Sequence, residues 1–434
     1  MPLISAWDPR ATATGSIDPL GALRPFTAIA TEMLPGVTTI TTRVRYLSWL
    51  CAGLLLLDQT AMAPPGGTEG RKRRQRLLAW ERLVALATGA HAVALGLSEG
   101  DPAWRQLRGV SYVRQALERG VRSAAFPMLR NQVGTGGVGT YWVTLTAGGL
   151  VEDASAALTK RGRDLADAFL RDRSTPDQAQ LRKVLDGRAI ALTDEALRAW
   201  GATVHLGAAR KAEKRLLADA LLEHRAHRHM AAVIGNAQVF RSDESAFRAL
   251  ARELRRQTDV LSKRLAAVLD VAICFEALHR DLLYIFDQVL AAAPRGLVPC
   301  RSLRLATGNV LLAKRGERLK EMLARHAATL PSSVQQAVAE FAAAVEPAVR
   351  AAKDAQIVEH LVRYHERVQG GKLDAARQPK APWVQIDAGR LRVAPRYALA
   401  TLPQPPTAIA LTHPYRIEQF TGLLVEVGEL QAAP

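Results

Sequence analysis

Gly134, Gly136 and Gly139 stand in QVGTGGVGTYW at the spacing G-x-G-x-x-G. That pattern seats a dinucleotide pyrophosphate when a hydrophobic strand precedes it and a helix begins at it, with the phosphates at the helix N-terminus. The preceding residues, AAFPMLRN, contain Pro127 and no Val/Ile-rich run. No acidic residue stands about 20 positions further on, near Leu158 to Lys160. The glycines are therefore expected to form a loop ahead of a helix starting near Thr140, and no cofactor is assigned.

His224, His227 and His229 cluster in EHRAHRHM. Residues three and five apart do not share one helix face, so a three-ligand metal site fails and a solvated basic face is expected. His360 and His365 are five apart and do not form H-E-x-x-H. VQGGK lacks the spacing and the Ser or Thr of a phosphate loop. There is no G-x-S-x-G, no H-x-K(x)4-D and no convincing D…E-x-K nuclease motif; Glu426, in LLVEVGEL, would lie on a strand with no lysine after it. Cys51, Cys274 and Cys300 are far apart and form no C-x-x-C, which disfavours zinc ribbons and disulfides and fits a reducing compartment. No catalytic, metal or cofactor residue is assigned, and the chain reads as non-enzymatic.

The positive charge is more informative. Lys and Arg exceed Asp and Glu by 17 in 434 residues, and such an excess attracts polyanions, nucleic acid above all. It is concentrated at Arg71, Lys72, Arg73, Arg74 and Arg76, at Lys160, Arg161 and Arg163, and between Arg301 and Arg325, where Lys314, Arg315, Arg318 and Lys320 fall. Arg43 and Arg45 open a helix, where the dipole disfavours cations, and join the first two clusters as expected phosphate contacts. Such contacts confer affinity with little sequence discrimination. For any one cluster, a solvated helix face is the plainer reading.

The elements that must position these residues read as mainly helical. Hydrophobic residues make up 48% and aromatics 5%, with Ala, Leu and Arg abundant, a mixture that loses little side-chain freedom in a helix. Tyr46 to Leu57 is too short to span a bilayer, which needs about 20 residues, and reads as a buried core helix with Val44, Leu47, Leu50 and Leu54 inside. Further helices are expected over 74–89 and 104–117. Gly207 to Met230 reads as one helix. Ser242 to Ala293, free of Gly and Pro, reads as a rod capped by Ser242, with a break near Arg255 to Asp259. A helix pair spans Ser332 to Val368, kinked at Pro347. Trp383 to Ile386 and Arg390 to Val393 alternate as two strands joined by a turn ending at Gly389. The first residues, MPLISAWDPR, carry no basic or apolar leader region, so a cytoplasmic protein without membrane partners is expected.

Two resemblances add to this reading. GGLV…ALTKRGRDLADAFL resembles the end of winged-helix domains; this implies a helix over Tyr141 to Ala147 nearest a DNA groove, with Lys160, Arg161 and Arg163 flanking a short wing. Tyr141, Leu145, Leu150, Leu158, Leu165 and Phe169 would form its core. The N-terminal text, through Asp18, Pro19, Leu20, Gly21, Leu34, Pro35, Gly36, Thr41, Arg43, Arg45 and Tyr46, resembles a group of uncharacterised bacterial proteins found in anti-phage defence islands. That likeness implies association with defence machinery such as a helicase, nuclease or methyltransferase, and supplies no catalytic residue.

The expected organisation is a helical segment over 1–62, a helical region ending in the winged-helix-like unit over 63–175, a long-helix scaffold over 176–380, and a hairpin and tail over 381–434. The expected function is a non-catalytic DNA-binding or adaptor subunit of a defence complex. A cryptic nuclease or nucleic-acid-processing enzyme and a helical scaffold indifferent to nucleic acid are the alternatives.

Overall fold

A computed structural model describes residues 18–59, 68–98, 100–171, 176–188, 190–292, 297–306, 309–373, 377–402, 404–405 and 411–431. Residues 1–17, 60–67 and 406–410 are among those outside the described residues.

The chain is mainly α-helical with one small antiparallel sheet. In chain order the helices are α1 (Leu23–Met33), α2 (Tyr46–Asp58), α3 (Thr68–Ala94), α4 (Val110–Glu118), α5 (Gln132–Thr135), α6 (Gly137–Ala147), α7 (Lys160–Leu170), α8 (Gln178–Leu185) and α9 (Asp194–Val204). They continue as α10 (Lys211–Leu221), α11 (Arg225–Ala237), α12 (Glu244–Arg255), α13 (Val260–Ala292), α14 (Asn309–Arg325), α15 (Ser332–Arg350), α16 (Asp354–Gly370) and α17 (Ile417–Val427). The strands are β1 (Val298–Pro299), β2 (Val384–Asp387) and β3 (Arg390–Val393). Among the described residues, no helix is long and apolar enough to cross a membrane.

The chain divides into two compact units, each discontinuous in sequence: 1–33 with 241–415, and 34–240 with 416–434. The boundaries expected at 62, 175 and 380 do not coincide with these. Composition marks linkers, whereas the units are defined by contacts between segments hundreds of residues apart.

In the 1–33/241–415 unit, α13 is the axis. Its 33 residues span about 50 Å and are buried on nearly every side. α1, α12, α14 and α16 pack against it. The expected break in the rod is real: Asp259 ends the interruption, its Oδ1 accepting the N–H groups of Leu261 and Ser262 at 3.0 and 3.1 Å. Asp243, not Ser242, caps α12 by accepting from Ala246 N–H at 2.8 Å. Pro347 lies inside α15, which stops at Arg350. The hairpin forms as expected and gains a third strand, in the order β1-β3-β2, with Val384 opposite Val393 and Asp387 opposite Arg390. Its two-residue turn, Ala388–Gly389, has positive φ at both positions (48° and 75°), the twist that a tight hairpin requires.

In the 34–240/416–434 unit, α2 is buried almost all round, and α3 packs along α9. Gly201 of α9 permits this approach, because a Cβ there would collide with the Ala87 carbonyl. Tryptophans are tied inward: Trp49 Nε1 donates to Val204 O at 2.9 Å, and Trp80 Nε1 to Trp49 O at 2.6 Å. The fourth helix is shorter than expected; Trp104 sits in a turn and Gly109, in the left-handed region, precedes α4. Gly207 to Met230 is not one helix: the chain turns at Leu222–His224, and His224 Nδ1 caps α11 through Ala226 N–H. Glu426 lies on a helix, α17, not a strand.

The six residues expected to form the core around α6 and α7 are all buried. Between these helices the chain makes a single bridge, Val151 to Leu158, in place of a two-stranded wing. Tyr141, Trp142, Thr144 and Leu145 of α6 are buried, whereas Val143 on its other side is exposed.

Candidate nucleic-acid interface

Arg43 and Arg45 do not reach solvent. Arg43 Nε donates to Glu426 Oε1 at 3.1 Å, and its Nη1 donates to the carbonyls of Pro102 and Arg105 at 3.0 and 2.8 Å. Arg45 makes a two-point pair with Glu213, at 2.9 and 3.0 Å, and donates to the His205 carbonyl at 2.5 Å. Their expected role in phosphate contact is corrected: guanidiniums spent on interior acceptors are structural. Glu426 also accepts Val44 N–H at 2.8 Å, so carboxylates offset the cations at the start of α2.

The α3 and α7 clusters are brought together at one carboxylate. Asp58, the last residue of α2, pairs with Arg73 of α3 and, at 3.4 Å, with Arg163 of α7. Arg73 is 2% exposed, so it too is corrected from a phosphate contact to a structural arginine. At Gly70 the α3 backbone abuts the Ala154 carbonyl so closely that a Cβ would not fit, which seats the first turn of α3 against the α6–α7 connection. Arg74 lies over the Trp142 ring at 4.7 Å and 3.8 Å from Asp153. Arg76 pairs with Asp186 at 3.2 Å and Arg161 with Glu223 at 2.7 Å. Arg71, Lys72, Lys160 and Arg163 are exposed, Lys160 one turn before Arg163 on α7. Asp58 thus ties Arg73 and Arg163, from two clusters nearly ninety residues apart in sequence, to one carboxylate. Asp58 was missed by sequence reasoning; its signal is a lone charge ending an apolar helix.

The glycine-rich stretch holds an anion after all, but an internal one. Glu81 Oε1 accepts Gly137 N–H at the start of α6, and Oε2 accepts Gln132 Nε2 at 3.0 Å. Glu81 is buried, and desolvation raises its pKa, opposed by these hydrogen bonds. The helix N-terminus that would hold a pyrophosphate is filled by this side chain.

Of the 224–229 cluster, expected as a solvated face, His224 is exposed and His229 half-buried, whereas His227 is structural, as is His365. His227 is buried, its Nδ1 2.6 Å from Leu221 O, and burial lowers its pKa to about 4. His365 Nδ1 lies 2.8 Å from Pro19 O, while Nε2 accepts Trp383 N–H at 2.8 Å.

Glu276, His279 and His413 bring metal-ligand atoms within 4.8 Å of one another. Both carboxylate oxygens are already engaged. Oε1 meets His413 Nδ1 at 2.6 Å and Tyr415 Oη at 2.7 Å, and Oε2 accepts Thr412 N–H and Oγ1–H at 2.5 and 2.6 Å. The two imidazoles stack at 4.9 Å and 27°, so their nitrogens run alongside each other instead of converging on a centre. This group fits a knot fastening residues 412–415 to α13 better than it fits a metal. Hydrogen bonds from His413 and Thr412 outweigh burial and hold Glu276 down at about 2.

Comparison with family models, curated proteins and solved structures returned no significant match for this chain.

Proposed function

We propose that this protein is a non-catalytic nucleic-acid-binding or adaptor subunit of a bacterial anti-phage defence complex. It grips a phosphate backbone through the face carrying Arg71, Lys72, Arg74, Lys160 and Arg163. The observation that carries this reading is the meeting of the α3 and α7 clusters at Asp58. Exposed ion pairs such as Arg161–Glu223 are worth about 0–1 kcal/mol, so they open readily for a phosphate. The defence setting is supported by the N-terminal likeness, which points to a helicase, nuclease or methyltransferase as partner.

The test is duplex DNA binding, by fluorescence anisotropy, between about 50 and 200 mM salt. Five phosphate contacts give a log–log slope of about −4.5, and replacing Lys72 and Arg163 together flattens it by about two. A flat response, or no binding at low salt, removes the nucleic-acid reading and leaves the scaffold alternative, which the pairing of Arg76 and Arg161 with carboxylates favours. Metal-dependent cleavage of the same duplex would favour the cryptic nuclease instead.

A further inference from the structure

A cleft of about 330 Å³ opens in the 1–33/241–415 unit, walled by α12 and α14 and floored by α13. Arg248 and Arg255 line it from α12, and Arg315, Arg318 and Arg325 from α14. We propose that this cleft binds a phosphoanhydride chain, a di- or triphosphate that is either inorganic or carried by a nucleoside. This does not depend on the function proposed above, whose basic face lies in the other unit.

Charge is the first argument. Five guanidiniums and two carboxylates, Glu244 and Asp270, line the cleft, an excess of three positive charges. Carboxylates partner Arg248, Arg255, Arg315 and Arg318 within or beside the lining, and an entering polyanion adds its charge to the donors those pairs leave and to Arg325.

Spacing is the second. Arg315, Arg318 and Arg325 lie on one side of α14 over about 15 Å, and Arg248 and Arg255 lie two turns apart on one side of α12. Forks spread over this length cannot all reach one phosphate, but they can follow a row of them. A dicarboxylate of similar size carries two charges; a di- or triphosphate carries three or more and matches each planar fork.

The arginines are also held in place. Arg248 Nε and Nη2 both donate to Glu244 Oε1, at 3.0 and 2.6 Å. Arg255 pairs with Asp270, Arg315 lies 3.5 Å from Asp281, and Arg318 lies 3.2 Å from Glu321. Each pairing uses one part of a fork and leaves other donors for a ligand. Ile273 and Met322 give the lining an apolar part against which a base could rest. Cys274, half-buried in the same lining, is a built-in reporter.

The test is calorimetric titration of the full chain with sodium tripolyphosphate, and separately with ATP. One-to-one binding that weakens with salt is expected, with a loss of about tenfold or more in the Arg318→Ala/Arg325→Ala variant. Both replaced side chains are exposed, and a melting curve checks that the variant folds. Alkylation of Cys274, followed by peptide mass, is expected to slow when tripolyphosphate is bound to the wild-type chain. ATP binding more tightly than tripolyphosphate assigns a nucleotide, and the reverse assigns the inorganic chain; either supports the proposal. No heat at low salt, unchanged affinity in the folded variant, unprotected Cys274, or binding of an oligonucleotide alone would each overturn it.

Discussion

The Glu81 carboxylate accepts the backbone N–H of Gly137 at the first turn of α6, so the glycine-rich stretch closes on a side chain of its own protein. A Cβ on Gly136 would stand 2.9 Å from Glu81 Oε2, and one on Gly137 would stand 2.6 Å from the Tyr46 ring. Neither position has room for a methyl group. Gly137→Ala is expected to destabilise its unit by about 1–3 kcal/mol through overpacking. Glu81→Ala leaves the buried Gly137 N–H without its acceptor, at a cost of about 1–3 kcal/mol, while Gln132 Nε2 keeps the Leu78 carbonyl. Urea denaturation read by tryptophan fluorescence measures both.

The buried and exposed arginines should separate cleanly. Removing Arg45 strands the buried Glu213 carboxylate and is expected to cost about 3–5 kcal/mol. Arg45→Lys recovers only part, because the two-point pair is lost. Lys160→Ala is expected to leave stability within about 0.5 kcal/mol while weakening DNA binding. Equal DNA affinity in Lys160→Ala and wild type, measured at matched salt, would take Lys160 out of the interface.

Acid should weaken the 1–33/241–415 unit through His365. One ring nitrogen donates to Pro19 O and the other accepts Trp383 N–H, which only the neutral ring can do. Burial lowers its pKa from 6.5 to about 4. The unfolded chain therefore binds a proton that the native state does not between those values. Stability is level above pH 6.5, falls as pH drops towards 4, and loses up to about 2 kcal/mol at pH 5 from this residue. His365→Gln is expected to be less stable at neutral pH and to show a shallower decline, which denaturant melts at several pH values would reveal.

The β2–β3 turn offers a gain. Ala388 adopts a positive φ that an alanine side chain resists, and Gly389 follows it. Ala388→Asn supplies the Asn-Gly pair such a turn favours and is expected to stabilise the unit by about 0.5–1 kcal/mol, seen as a higher melting temperature.

Helix placement was largely legible because apolar spacing and caps act locally. The break before Asp259, the strands on either side of Ala388–Gly389, and the buried ring of Tyr141, Leu145, Leu165 and Phe169 all follow from neighbours in sequence. The fates of charged residues were not legible. Arg43 and Arg163 look alike as text; what separates them is a carboxylate on another element, Glu426 for one and Asp58 for the other. The partner of the glycine stretch, Glu81, sits mid-helix in WERLVAL with nothing nearby to mark it. His227 read as solvated for the same reason: tertiary packing, not local pattern, buries it.

Arg43 waits for a carboxylate made 383 residues later. A ribosome that has released residues 34–240 has delivered most of that unit's interior but not α17, so a guanidinium and the Val44 amide lack their acceptor until α17 itself emerges. Maturation of this unit thereby waits for α17, and a chain cut short before it carries an ionic defect at its centre.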